Sequence, residues 1–307
     1  MKKVLVATEK PFSQVAVDEI RIIVEEAGYK LELLEKYTSE AELLDAVAHA
    51  EALIVRSDKV TSKVLEAAKD LKIVVRAGAG YDNLDLDACN EKGVVAMNTP
   101  GQNSNAVAEL VFGMMIYGIR KQFSGASGTE LRGKSLGIHA YGNVGYYVGK
   151  IAEGFGMKVY GYDPYVGADR MQAHGVEPLS SVEELYRTCE FVSLHIPAND
   201  ITKNSINKAL LSMMPQGAVL INTARKEVIA EDELLEVMEE RPDFMYLSDI
   251  APSNAQVIAE KFPDRFFFTP KKMGAQTEEA NVNAGMAAAR QIVSYFLTGD
   301  ETHRVNR

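Results

Sequence analysis

The sequence predicts an α/β protein with two doubly wound domains, each built on a parallel sheet of the Rossmann or flavodoxin type. Short apolar runs, typical of buried strands, alternate with segments of helical periodicity along the chain. Such alternation favours parallel sheets covered by helices on both faces. The predicted strands are too many for one sheet, and a turn-rich break at 98–101 separates them into two groups.

The first group of predicted strands covers residues 3–7, 52–55, 73–76 and 94–97, and the second covers residues 136–140, 158–162, 191–194, 218–221, 245–247 and 266–268. The predicted helices cover residues 13–27, 41–48, 61–68, 104–119, 144–155, 230–239 and 278–296. The last helix is rich in alanine and could return to cover the first sheet. We therefore expect a discontinuous domain, 1–98 plus 281–307, around a domain of residues 99–280.

Composition excludes several classes of protein. The chain has 307 residues, 47% of them hydrophobic, which is enough for two domains with separate cores. A net charge of −10 argues against binding to nucleic acid or to an anionic membrane. No apolar run approaches the ~20 residues of a membrane span. The two cysteines are distant and form no metal-type pair, and together with the absence of a signal peptide they lead us to expect a reduced, cytoplasmic location.

Residues 136–163 carry the most specific pattern. A predicted strand is followed by Gly142 and Gly145, a helix, a second strand and Asp163. This order matches a GxGxxG dinucleotide fingerprint, in which the second glycine lets the backbone approach a pyrophosphate and the third allows close helix–strand packing. Asp163 would accept hydrogen bonds from the adenosine ribose and repel a 2′-phosphate, so the sequence predicts NAD rather than NADP.

Alanine occupies the first glycine position of this fingerprint, at Ala140. Alanine is the smallest departure from glycine and is tolerable there if its φ angle stays negative. The alternative interpretation of the whole segment is an ordinary α/β crossover with glycines that serve helix packing.

Several further segments, together with the fingerprint, resemble the D-2-hydroxyacid dehydrogenase family, and within it the short form of the phosphoglycerate dehydrogenases, which lacks a C-terminal regulatory domain. They follow the family's order across nearly the whole chain. These segments are residues 75–83 (VRAGAGYDN), 98–110 (NTPGQNSNAVAEL), 193–197 (SLHIP), 221–225 (INTAR), 248–250 (SDI) and 274–278 (GAQTE).

The resemblance implies catalysis by an arginine, a glutamate and a histidine. Arg225 matches the arginine, which would hold the substrate carboxylate and the C2 oxygen. The histidine is replaced by Lys272, if the chain is aligned on residues 274–277, or by Lys271, if it is aligned on 269–270. The glutamate is absent, since its expected position falls near Asn254, and Glu260 is the closest downstream acid.

Lysine can act as an acid–base group near neutral pH only if desolvation and neighbouring cations lower its pKa. We expect Lys272 to donate a proton to the ketone oxygen during reduction and to remove it during oxidation. The alternative is an electrostatic clamp on the substrate, with a water handling the proton.

Other site residues are implied by the resemblance alone. The cofactor would be bound by Gly142, Asn143, Val144, Gly145, Asp163, His195, Pro197, Thr223, Ala224 and Asp249, with Asp249 bonding the nicotinamide carboxamide. The substrate anion would be bound by Arg56, Ser57, Arg76, Ala77 and Gly78. Asp249 could instead cap a strand end, and the two arginines could be solvated at the sheet edge. No metal is expected.

The function predicted in this way is NAD-dependent oxidation of 3-phosphoglycerate to 3-phosphohydroxypyruvate, the entry to serine biosynthesis. A hydroxypyruvate, glyoxylate or other 2-hydroxyacid reductase is the alternative within the same class. A non-catalytic NAD(H)-sensing protein is the alternative from another class, because two catalytic residues are replaced. The resemblance also implies a homodimer.

Overall fold

The computed structural model describes residues 1–306 and divides the chain into two compact units. We call them the discontinuous unit, Met1–Asn103 with Gln276–Arg307, and the central unit, Ser104–Ala275. The sequence prediction placed the divisions five residues away, at 98/99 and 280/281. The first shifts because the Thr99 N–H donates to the Gly78 carbonyl, which ties the turn to the discontinuous unit.

The discontinuous unit contains a sheet of five parallel strands in the order β2-β1-β3-β4-β5. Its elements are β1 (Lys3–Thr8), α1 (Gln14–Glu26), β2 (Lys30–Glu35), α2 (Glu40–Val47), β3 (Ala52–Val55), α3 (Ser62–Ala67), β4 (Ile73–Arg76), α4 (Leu86–Lys92), β5 (Val95–Asn98) and α12 (Glu278–Thr298), with α5–α11 and β6–β12 in the central unit.

Helix α12 supplies part of the core of the discontinuous unit. Its small side chains pack with α1 and with the strands in one hydrophobic cluster. Gly285 permits close contact, because a Cβ at this position would lie 2.9 Å from Ile20 Cδ1. The Thr277 side chain accepts a hydrogen bond from the Ala280 N–H and caps the start of the helix. The helix predicted at 278–296 thus returns to the first sheet.

The central unit contains seven parallel strands in the order β12-β11-β10-β9-β6-β7-β8. Its elements are α5 (Ser104–Ile119), β6 (Ser135–His139), α6 (Asn143–Gly154), β7 (Lys158–Tyr162), α7 (Ala168–Gln172), β8 (Glu177–Pro178), α8 (Val182–Thr188), β9 (Phe191–Leu194), α9 (Lys208–Leu211), β10 (Val219–Asn222), α10 (Glu231–Glu240), β11 (Met245–Ser248), α11 (Ala255–Lys261) and β12 (Phe266–Phe268).

Two parallel sheets with interleaved helices confirm the predicted fold class. In the central unit the strand order reverses between β6 and β9, which are neighbours although other elements separate them in the chain. Ligands of open α/β sheets bind outside the carboxyl ends of the strands at such a reversal. Across residues 1–306, none of the helices combines the length and the apolarity that crossing a membrane requires.

Candidate functional site

The turn between β6 and α6 carries the two fingerprint glycines, which serve different purposes. A Cβ on Gly145 would lie 2.6 Å from the Ala140 carbonyl oxygen and 2.9 Å from Ile138 Cγ2, so packing requires glycine there. A Cβ on Gly142 would meet no atom of the chain within 4 Å, and its φ of −81° suits any residue. Neither packing nor backbone conformation therefore explains Gly142, whereas the close approach of a ligand does.

Helix α6 begins without a side-chain cap, since Gly142 stands at its N-cap position. The first N–H groups of such a helix, together with its dipole, favour a bound anion. The open helix start and the bare Gly142 together fit a dinucleotide pyrophosphate, with Asn143 and Val144 supplying backbone N–H groups.

Ala140 does not meet the condition under which alanine would be tolerable in the first fingerprint position. Its φ is +79°, in the left-handed region, and not negative. The turn demands this conformation because the Ala140 N–H bonds to the Tyr162 carbonyl while its own carbonyl packs against Gly145. A left-handed alanine costs roughly 1–2 kcal/mol, which the surrounding structure must offset.

Asp163 follows β7 directly and faces the same turn. One carboxylate oxygen accepts a hydrogen bond from the Tyr141 N–H and the other from the Tyr165 N–H, both at 2.8 Å. An ionised carboxylate offers about four acceptor sites, so two remain for ribose hydroxyls. The position and the spare acceptors fit the adenosine side of NAD.

Two histidines lie at the ends of neighbouring strands. His139 ends β6, is buried, and lies 3.3 Å from the Tyr186 hydroxyl through Nδ1. His139 is therefore a core residue with a partner. His195 follows β9, and burial lowers its pKa to about 3, while burial lowers the pKa of His139 to about 4. Both rings are therefore neutral at physiological pH and are poor proton donors.

Two buried polar atoms at the carboxyl ends of β9 and β10 have no hydrogen-bond partner within residues 1–306. They are His195 Nε2 and Thr223 Oγ1. An unsatisfied buried polar atom is costly, so each is a candidate for a partner outside the chain. That both residues line the cofactor stays a prediction.

The turn after β10 presents Arg225 and is organised by Asn222. The Asn222 side chain accepts from the Ala224 N–H at 2.9 Å and donates to the Arg225 carbonyl at 3.0 Å. Nη1 of Arg225 donates to the Ala224 carbonyl at 2.9 Å. Lys272 Nζ donates to the same carbonyl at 3.4 Å. Two cations from separate segments therefore converge on one oxygen.

Lys272 belongs to the 269–274 loop, which we define as the segment from Thr269 to Gly274 that follows β12. Its side chain is exposed in the structure. Burial by the chain therefore does not provide the desolvation that was expected for a lysine acid–base group. The convergence with Arg225 does provide the expected neighbouring cation.

Asp249 follows β11 and is completely buried. Its carboxylate accepts three hydrogen bonds, from the Thr269 hydroxyl at 3.0 Å, the Met273 N–H at 2.7 Å and the Gly274 N–H at 2.8 Å. In this structure the carboxylate therefore binds the 269–274 loop through three hydrogen bonds. A bond to the nicotinamide carboxamide stays a prediction.

The positions expected for a catalytic glutamate hold no suitable carboxylate. Asn254 lies at the start of α11, and its side chain donates to the Glu231 carbonyl at 3.0 Å. Glu260 is exposed on α11 and bonds to Gln256 at 2.9 Å. Neither residue contacts the 269–274 loop through a hydrogen bond among those of residues 1–306.

In the discontinuous unit, Arg56 is largely engaged with its own chain. Its Nη1 donates to the carbonyls of Lys10 and Pro11 at 3.0 Å each, its Nη2 donates to the Asn281 side chain, and the guanidinium lies 5.2 Å from the centre of the Phe12 ring. The alternative of an arginine solvated at the sheet edge therefore does not describe Arg56. A substrate anion could use only the remaining donors.

Arg76 ends β4 and lies against the predicted substrate loop. Its Nε donates to the Arg56 carbonyl at 3.0 Å. A Cβ on Gly78 would stand 1.5 Å from Arg76 Nη1, so the guanidinium rests directly on this glycine. Ala77 is buried and donates its N–H to Val55, whereas Ser57 is exposed. Glycine at 78 is thus needed to hold Arg76 in place.

Residues 104–270 match the model of the D-isomer specific 2-hydroxyacid dehydrogenase family, NAD binding domain. The chain belongs to this family, which confirms the resemblance seen in the sequence. The matched range covers most of the central unit, including the fingerprint turn, Asp163 and Arg225. The central unit is therefore the family's NAD-binding domain, and the bare Gly142 and the open start of α6 agree with this.

Individual relatives are similar to this chain along most of its length. It is 36% identical to the D-3-phosphoglycerate dehydrogenase of Methanocaldococcus jannaschii over 90% of this chain, but it spans only 55% of that protein. It is 32% identical to the hydroxypyruvate reductase of Thermotoga maritima over 86% of this chain and 90% of that one. The structure is similar to the crystal structure of NAD+-bound 3-phosphoglycerate dehydrogenase from Entamoeba histolytica, with a TM-score of 0.88. The two sequences are 46% identical, and the match covers 100% of this chain and 99% of that one.

Proposed function

We propose that the protein oxidises 3-phosphoglycerate to 3-phosphohydroxypyruvate with NAD as the hydride acceptor. The observation that carries this proposal is the convergence of Arg225 and Lys272 on the Ala224 carbonyl, beyond the carboxyl ends of the central sheet. Two cations there suit an anionic 2-hydroxy acid in a chain whose net charge is −10. The names of the relatives from M. jannaschii and E. histolytica support the same substrate.

In this proposal, separate residues bind the substrate, transfer the proton and hold the cofactor. The planar fork of Arg225 holds the substrate carboxylate and the C2 oxygen through paired hydrogen bonds. The Lys272 amine takes the proton of the C2 hydroxyl as the C2 hydrogen leaves with its electron pair. NAD, when bound, accepts that hydride. Gly142, Asn143, Val144 and Gly145 would hold its pyrophosphate.

The proposal extends to the remaining predicted contacts. His195, Pro197, Thr223, Ala224 and Asp249 would line the cofactor, with Asp163 on the adenosine ribose. Arg56, Ser57, Arg76, Ala77 and Gly78 would bind the acid groups of the substrate. For Arg56 this role is limited to the donors that Lys10, Pro11 and Asn281 leave unused.

Substitution of Lys272 tests the acid–base role. Lys272→Ala should lower kcat at least about 100-fold, since general acid–base groups contribute 10²–10⁴-fold. Lys272→Arg separates two roles, because an electrostatic clamp survives this change and a proton shuttle does not. Steady-state NADH absorbance on mixing enzyme, NAD and 3-phosphoglycerate measures both variants. Retention of more than about a tenth of wild-type kcat in Lys272→Ala contradicts the proposal.

Lys271→Ala is the matched comparison, because it removes the neighbouring exposed lysine. A large loss of kcat in this variant alone would move the acid–base role to Lys271, as the alternative alignment predicts.

Substrate controls separate the candidate functions. Glycerate and D-lactate lack the phosphate, so kcat/KM should fall strongly with both if the substrate is 3-phosphoglycerate. Equal activity with hydroxypyruvate or glyoxylate favours the alternative reductase, for which the Thermotoga maritima relative is the supporting observation. NADH binding without turnover of any of these acids favours an NAD(H)-sensing protein.

We also propose a homodimer, which the family resemblance implies. An exposed aromatic side chain on the central unit, Phe123, offers apolar surface for a partner. Sedimentation equilibrium should then give about twice the 33.7 kDa of one chain. A single-chain mass at micromolar concentration would remove this part of the proposal.

A further inference from the structure

We propose that Asp249 is a positioning residue that anchors the 269–274 loop and thereby sets the place of Lys272 in the reaction. The inference rests on the proposed function, because it assigns Asp249 a part in the same chemistry. It adds to the role implied by the family resemblance, in which Asp249 touches the cofactor.

The hydrogen bonds of Asp249 all point to the loop. Oδ1 accepts from the Thr269 hydroxyl and from the Met273 N–H, and Oδ2 accepts from the Gly274 N–H. The bonded positions lie on both sides of Lys272, so the carboxylate restrains the loop before and after the lysine. Backbone bonds to a carboxylate are charge-assisted and stronger than bonds between neutral groups.

Gly274 supplies an independent observation. A Cβ at this position would lie 3.0 Å from Asp249 Oδ2 and 3.2 Å from Val107 Cγ2. The loop backbone therefore lies close to both the carboxylate and helix α5. A side chain at 274 would fit only if the Asp249 carboxylate and Val107 shifted by a few tenths of an ångström.

Asp249 also connects the loop to the turn that carries Arg225. Its N–H donates to the Asn222 carbonyl at 2.9 Å, and the Asn222 side chain holds the Ala224–Arg225 turn. Lys272 meets that turn at the Ala224 carbonyl. One aspartate thus joins the two segments that present the proposed catalytic cations.

The charge of Asp249 matters for this role as well as its size. All three partners are donors, and a carboxylate only accepts. An asparagine at 249 would direct its own NH2 group at one of the loop N–H groups, which places two donors against each other. Asp249→Asn should therefore loosen the loop while preserving side-chain volume.

The experiment compares Asp249→Asn with wild type in the full chain by three measurements. We expect kcat with 3-phosphoglycerate to fall at least about tenfold, since a misplacement of about 1 Å can cost 10²-fold. The Kd for NADH measures separately the cofactor contact proposed for Asp249, so the anchoring of the loop is judged from hydrogen exchange and not from this Kd. Hydrogen exchange of peptides covering residues 269–274 should accelerate, because an asparagine leaves either the Met273 or the Gly274 N–H without an acceptor.

Two further variants guard against a simple folding defect. Thr269→Val removes one donor to Asp249 and should lower kcat by a smaller factor with faster exchange in the loop. Asp243→Asn is the matched control, because it makes the same change in a carboxylate of the same unit that accepts hydrogen bonds from Gly217 and Arg241 rather than from the loop. It should match wild type in all three measurements.

A double-mutant comparison tests whether Asp249 acts through Lys272. In a Lys272→Ala background, Asp249→Asn should lower kcat no further than about twofold, because coupled residues are not additive. An unchanged tenfold loss in that background would overturn the inference. So would an NADH Kd raised tenfold with unaltered exchange in the loop, which would make Asp249 a cofactor ligand.

Failure of the proposed function gives a different result. If wild type oxidises no 3-phosphoglycerate, the reaction is wrong, whereas hydrogen exchange of the loop still reports on its anchoring by Asp249. Unaltered exchange in both Asp249→Asn and Thr269→Val overturns the anchoring itself.

Discussion

At the scale of single residues, the fingerprint glycines show that one motif combines two unlike demands. Glycine is required at position 145 because a Cβ there would lie 2.6 Å from the Ala140 carbonyl oxygen. A Cβ on Gly142 would meet no atom of the chain within 4 Å. The sequence predicts both glycines from spacing alone. The physical reason for each becomes visible only when the neighbouring carbonyl and the helix start have coordinates.

This difference predicts opposite phenotypes for the same substitution. Gly145→Ala should lower the free energy of unfolding by about 1–3 kcal/mol, as overpacking does. Gly142→Ala should leave stability within about 1 kcal/mol of wild type, because its methyl group meets nothing, but should weaken NADH binding at least about tenfold by blocking the pyrophosphate. Urea unfolding and NADH titration measure the two effects. Equal loss of stability in both variants would contradict this account.

Functional residues could be predicted where they belong to a local sequence pattern. They were missed where their hydrogen-bond partners lie far away in the chain. Arg225 and Asp163 stand in recognisable segments. Asn222 and Thr269 were missed as positioning residues, although a polar residue directly after an apolar strand is a usable signal for Asn222. The three partners of Asp249 lie about twenty residues downstream, and no local pattern reveals them. The left-handed φ of Ala140 could not be predicted from the sequence, because tertiary contacts set it.

At the scale of elements, strands with an apolar run were predictable, including the edge strands β5 and β12, whereas two edge strands without such a run were missed. Strands such as β3 and β9 are apolar and entirely buried, and their limits match the prediction. Strand β2 was missed because its sequence, KLELLE, consists of good helix formers and lies at the sheet edge with little burial. Strand β8 has two residues, too few for a periodic signal.

The missed helices are also short. Helices α4, α7, α8, α9 and α11 have four to seven residues, fewer than two full turns, and carry no sustained apolar stripe. The long helix α5 was predicted to the residue, although it is apolar around most of its circumference. Helices of four to eight residues were predicted less consistently, since the six-residue α3 was found and the seven-residue α4, α8 and α11 were missed.

At the scale of the whole molecule, the two buried histidines make stability depend on pH. Burial lowers the pKa of His139 to about 4 and that of His195 to about 3. Between these values and about 6.5, the unfolded chain binds protons that the folded chain excludes. Their contribution is therefore complete above pH 6.5 and declines as the pH falls. The loss amounts to about 2 kcal/mol per histidine at pH 5.

Urea midpoints at pH 7 and pH 5 measure this loss. His49→Gln, which alters an exposed histidine, should keep the full difference, whereas His139→Gln should reduce it. Carboxyl groups with lowered pKa, such as those of Glu32 and Asp243, lose their stabilising contribution only as the pH falls through their lowered pKa values. Identical midpoints at the two pH values would show that the histidine rings accept protons freely in the native chain.

Because α12 completes the core of the discontinuous unit, synthesis imposes an order on folding. The amino-terminal strands leave the ribosome first, yet Ala284, Ala288 and Ile292, which cover them, are made only after residues 104–275. At 5–20 residues per second, the delay is roughly 10–35 s. During that interval the nascent first sheet exposes the apolar face that α12 covers in the folded protein. The central unit can therefore complete its fold first, and the amino-terminal part can do so only after α12 has been synthesised.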